Sequence, residues 1–109
     1  MNNPFLLLVL TSNKLSNQER RIRMSQHASQ RASERDITED QVRAIINKPV
    51  ETVYDADSDN YKSYGLAIHP FTKNDAYLMV VHSKFNTEVL IITVMWTTTG
   101  GLRTNGFKI

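Results

Sequence analysis

Cysteine is absent from the 109 residues of the chain. That excludes a disulfide framework, a thiolate nucleophile and the cysteine-rich zinc and iron–sulfur sites, and it fits a reducing compartment such as the cytoplasm. Glycine and proline are scarce, four and three residues. Gly65 stands alone and the other glycines fall in the last ten residues, so no phosphate-cradling glycine loop is present. Charge of one sign is also lacking: 13 Lys and Arg against 11 Asp and Glu leave a net charge of +2, too little by itself to point to a polyanionic partner. The longest apolar run, Pro4-Phe-Leu-Leu-Leu-Val-Leu10, is far short of the ~20 residues a membrane helix needs. Its flanks carry neither a positive leader nor a small-x-small cleavage site, so a secretory signal is poorly supported and no membrane partner is expected.

What is present is ordinary globular composition, 40% hydrophobic and 22% charged, enough for one modest core and one domain. The cations are unevenly placed. Lys14, Arg20, Arg21, Arg23, Arg31 and Arg35 meet only Glu19 and Glu34 within their span, while Asp55, Asp57 and Asp59 gather later. A basic front is the one electrostatic sign of a polyanion, although a solvated helix face often looks the same.

The stretch from Ser16 to Arg35 holds good helix formers without proline or glycine. Met24, Ala28 and Ala32 fall on one face at i, i+4, i+8, and Arg20, Arg23, His27 and Arg31 make a cationic stripe beside it. A second helix is expected from Glu39 to Asn47, with Thr38 and Gln41 as a capping box, Ile37 stapled onto Val42, and Pro49 as its stop. Strands follow at 50–55, 61–69, 76–82 and 88–96. The last, Val89-Leu-Ile-Ile-Thr-Val-Met-Trp96, is apolar on both faces and is expected to be central. From Thr97 no period remains, and the residues read as a flexible tail. The expected fold is therefore α+β, two N-terminal helices packed on a curved antiparallel sheet of about four strands. Residues 1–23 are expected to be a leader or an upstream extension, 24–96 the domain, and 97–109 the tail.

The run Met24-Ser-Gln-His27-Ala28-x-x-Arg31-x-x-x-Arg35-x-Ile37-Thr38-x-x-x-Val42-x-x-x-Ile46-x-x-Pro49, with a Tyr-bearing strand pair and a terminal Val-Leu-Ile-Ile-Thr-Val strand, resembles a bacterial domain-of-unknown-function family. Its members look like the RelE and BrnT toxins of the barnase, EndoU, colicin and RelE superfamily. The resemblance covers about Ser25 to Trp96. By analogy it implies a metal-independent ribonuclease or a degenerate relative, with RNA as substrate and a small antitoxin protein as partner.

Metal-free RNA cleavage needs a base for the 2'-hydroxyl proton, an acid for the leaving oxygen, and cations for the charge developing on phosphate. His27 can supply the base or acid, and Arg31 and Arg35, one and two turns on, the forked donors. His82, ending a strand, is a second imidazole that could approach the same side. Tyr64 offers a hydroxyl or a stacking surface, and Arg20 and Arg23 would extend the phosphate contact. Each has a plainer account. His27 can pack helix to sheet, Arg31 and Arg35 can pair with Glu34, Asp36 or Glu39 at ~0 to 1 kcal/mol each, and tyrosine is common in strands. His69, beside Pro70 at a loop edge, carries little weight. His27, His69 and His82 lack metal-ligand spacing, and the Asp55, Asp57, Asp59 alternation lacks the glycine and distal glutamate of a calcium loop, so neither metal nor cofactor is expected. A non-catalytic module of the same fold, binding nucleic acid or protein, is the alternative function.

Overall fold

The computed structural model describes residues 20–109. Its elements run β1 (Arg21–Met24), α1 (Gln26–Glu34), α2 (Glu39–Asn47), β2 (Glu51–Asp55), β3 (Asn60–Ile68), β4 (Asp75–His82), β5 (Glu88–Thr97) and α3 (Thr99–Thr104). The strands form one sheet in the order β1-β5-β4-β3-β2. β1 lies parallel to β5, and the other three pairings are antiparallel.

This corrects the expected architecture in three ways. Residues Arg21 to Met24 are a strand, so the described part of the chain opens on β1 and the sheet has five strands and is mixed rather than about four and antiparallel. Good helix formers there are overruled because β5 offers a free edge: Ile22 and Met24 turn inward against its apolar side chains while Arg21 and Arg23 alternate outward. Tertiary pairing of this kind routinely outweighs a weak intrinsic propensity. The helix begins only at Gln26, where Ser25 accepts the Ala28 amide at 3.0 Å and so caps the first turn. The part of the expected helix before Arg20, like the apolar run at Pro4–Leu10, lies outside the described residues.

The second correction concerns the end of the chain. Residues 97–109 are not a loose tail: Thr98 caps α3, and Leu102 and Phe107 are buried against Tyr64 and Met79 on the sheet. Gly100-Gly101 reads as a breaker, yet a Cβ at Gly101 would run into the Thr97 hydroxyl, so glycine is what lets the helix turn so tightly out of β5. The third is smaller. β5 is interior, between β1 and β4, but the middle strand is β4.

Other expectations hold. The Thr38 amide donates to Gln41 Oε1 at 3.0 Å and the Gln41 amide to Thr38 Oγ1 at 3.1 Å, the two halves of a capping box. Ala28 and Ala32 present the small face that brings α1 onto β5, and Val42, Ile45 and Ile46 seat α2 on β3 and β4. They pack on Leu78, Val80, Val89, Ile91 and Val94. Gly65 allows the close approach of α2, because a Cβ there would lie 2.6 Å from Ile45 Cδ1. The sheet thus has a main core under α1 and α2 and a smaller one, on Tyr64 and Met79, under α3.

Candidate functional site

The row of His27, Arg31 and Arg35 survives only in part. His27 is exposed on the first turn of α1. Arg31, one turn later, pairs with Glu34 at 2.8 Å. Arg35 closes the helix and donates through Nη1 to the Val94 carbonyl at 2.6 Å, while its own carbonyl accepts the Trp96 indole N–H at 2.9 Å. That reciprocal pair pins the end of α1 to β5, a structural duty the spacing alone did not reveal. Arg20 and Arg23 lie off the helix altogether, so the expected continuous cationic stripe is broken between Met24 and Gln26. Arg23 sits 3.5 Å from Glu88, and Arg20 places its guanidinium 4.5 Å from the Phe85 ring while its amide donates to Asn47 Oδ1 at 3.0 Å.

His82 is fully buried and already spoken for. Its Nδ1 lies 2.6 Å from the Ser83 carbonyl, which can only accept, so that nitrogen carries the proton. Burial holds its pKa below the ordinary histidine range. Nε2 of the neutral ring then accepts a hydrogen bond from the Ser63 hydroxyl at 2.7 Å, and Ser63 Oγ in turn lies 2.7 Å from Thr52 Oγ1. Phe85 stacks on the imidazole with centroids 4.7 Å apart, and Tyr61 lies 6.1 Å away at 18°. A serine held by an oriented histidine has the partners of an activated nucleophile. Here both groups are wholly covered, and each polar atom has its partner within the protein, so the chain Thr52–Ser63–His82 acts as a satisfied buried network that joins β2, β3 and β4.

Tyr64 faces the opposite side of the sheet. Its ring is buried edge-on between Tyr77 and Phe107, at 5.8 and 4.9 Å, and burial raises the pKa of its hydroxyl. It serves the small core and is not brought together with His27 or His82. Of the residues singled out, then, His27, Arg23 and the outer part of Arg31 meet solvent, whereas His82 and Tyr64 do not.

What the structure adds is a cationic edge. Arg21 and Arg23 point outward from the edge strand β1, and the Arg20 guanidinium lies over Phe85 of the β4–β5 turn, in which Lys84 is exposed. Arg21 was visible in the sequence as part of a basic front. The approach of Arg20 to the β4–β5 turn was not, because it depends on the pairing of β1 with β5. No helix among the described residues is long and apolar enough to cross a membrane, and among them no group of three His, Asp or Glu is arranged to hold a metal ion.

No curated protein and no solved structure matches the chain. One family model does, that of a domain of unknown function, DUF4258, over residues 24–96. The matched span takes in α1, α2 and β2 to β5 up to Trp96, and leaves out β1 apart from Met24. With about two thirds of its length under that model, this chain belongs to the DUF4258 family.

Proposed function

We propose that the chain is an RNA-binding module that holds the phosphate backbone without cutting it, a degenerate relative of metal-independent ribonuclease toxins such as RelE and BrnT. One observation carries the reading: Arg21 and Arg23 are both exposed on the edge strand β1, and among the described residues Glu88 is the one acid that forms an ion pair with either. The Arg23–Glu88 contact is long and solvated, worth ~0 to 1 kcal/mol, so a phosphate can displace it. Forked guanidinium donors suit phosphate geometry, and a strand edge presents them in a row. Against cleavage stand the engagement of Arg31 and Arg35 and the burial of His82, which remove the acid–base partner that His27 would need.

The test is binding of a short fluorescent single-stranded RNA to the full chain in EDTA. With about three phosphates contacted, affinity should fall roughly twentyfold between ~50 and ~200 mM salt. A salt-insensitive complex, or none at the lower salt, would remove the reading.

A second reading, a true ribonuclease, is favoured by one observation: His27 is the exposed histidine of the three and stands one turn before Arg31. It predicts metal-independent cleavage of total RNA that His27→Ala abolishes; a toxin of this kind would be held by a small antitoxin protein.

A further inference from the structure

The β3–β4 turn carries an aromatic cluster that neither core absorbs. His69 lies with its ring centroid 4.8 Å from that of Trp96 and 5.8 Å from that of Phe71. Phe71 is 77% exposed, the most exposed of the large hydrophobic side chains among the described residues. Hiding that much apolar surface would be favourable, yet the turn holds Phe71 out. The His69 amide donates to the Asn74 carbonyl at 2.9 Å, the Lys73 amide to the His69 carbonyl at 3.0 Å, and the Phe71 amide to His69 Nδ1 at 3.2 Å. Lys73 adopts a left-handed φ of 61° to close the loop. Three rings, two of them tilted on the third, therefore run from the core outward, with Trp96 anchored by its indole hydrogen bond to Arg35.

Lys73 is exposed in the turn and Asp75 at the start of β4, while Arg35 meets Trp96 through its backbone carbonyl and turns its guanidinium to the Val94 carbonyl. A ring open on one side with a lysine two residues along suits a single-stranded nucleic acid, since every base offers a π-face and every linkage a phosphate.

We propose that Phe71 and His69 form a stacking platform for an unpaired nucleobase, with Lys73 meeting the adjoining phosphate. This rests on the RNA-binding reading and narrows it: the ligand is single-stranded, and bases contribute as well as phosphates. The platform stands at the far end of the sheet from the cationic edge, because Trp96 is next to the last residue of β5 whereas Arg21 pairs with Glu88, its first. The two sites can therefore be altered independently.

The experiment compares two labelled decamers on the full chain, oligouridine and an abasic strand with the same number of phosphates, in EDTA at ~50 mM salt. Oligouridine should bind wild-type protein about tenfold more tightly than the abasic strand. Phe71→Ala and His69→Ala should bring oligouridine down to the abasic level, while Arg21→Ala should weaken both strands alike. Phe71 touches so little of the core that Phe71→Ala should keep the wild-type Tm, which separates lost stacking from lost folding. Equal binding of the two strands to wild-type protein, or a Phe71→Ala variant with unaltered preference, as expected if Phe71 seats against a protein instead, overturns the platform alone. Failure of both strands to bind overturns the RNA reading with it.

Discussion

The two ends of the sheet use the same residue types for opposite ends. At one, His82 is enclosed by Phe85 and Tyr61, and each of its nitrogens has a protein partner. At the other, His69 lies among Trp96 and Phe71 with one side of the cluster open to solvent. The difference is one of cover. A ring whose polar atoms are saturated and whose faces are packed can stabilise the fold but has nothing to offer a ligand, whereas a ring held in place with one side uncovered can.

The comparison breaks first on stability. His82→Ala leaves a cavity and removes one of the two hydrogen-bond partners of the buried Ser63 hydroxyl, and should cost about 3 kcal/mol in urea denaturation. His69→Ala, at the open end, should cost less than about 1 kcal/mol. Equal costs would show that the two histidines do not differ in the way proposed. Leu102→Ala, in the small core under α3, is expected to cost about 2 to 4 kcal/mol; a near-neutral result would mean that the end of the chain adds nothing to the fold.

The effect of pH sharpens the same contrast. The folded His82 has its pKa lowered by burial, so between that value and the unfolded value near 6.5 the unfolded chain binds the extra proton. Stability should therefore be flat above about pH 6.5 and decline as the pH falls below it, by at most ~1.4 kcal/mol per unit from this group. In His82→Gln that part of the slope should vanish, and in His69→Gln it should remain. A third and smaller effect belongs to the helices: Thr38→Ala removes half of the capping box and should cost about 1 kcal/mol by thermal denaturation.

Much of the chain was legible where local chemistry decides the outcome. The capping box at Thr38 and Gln41, the stop before Pro49, and the four strands after it depend on neighbours a few residues away, and they stand within a residue or two of their expected limits. What could not be read depends on partners far along the chain. Arg21 to Met24 became a strand because β5, more than sixty positions later, had an edge to fill. Thr97 to Ile109 became an ordered cap because Tyr64 and Met79 left apolar surface that Leu102 and Phe107 cover. The site was less legible for the same reason. His82 and His69 look alike as letters, and the proline after His69 argued for a plain loop. Only the placement of Ser63, Ser83 and Phe85 around one, and of Trp96 beside the other, tells which is closed. Likewise the i, i+4, i+8 spacing of His27, Arg31 and Arg35 is real, but the Val94 carbonyl and Glu34 claim two of the three heads.

The account is tested most directly by mapping backbone amide shifts of the isotope-labelled full chain during titration with oligouridine in EDTA. It predicts changes at Arg21, Arg23 and Lys84 and, at the other end, at Phe71 and Lys73, with the amides around His82 and Ser63 unmoved. Shifts confined to the acidic turn at Ala56–Asp59, or centred on His82, would contradict it.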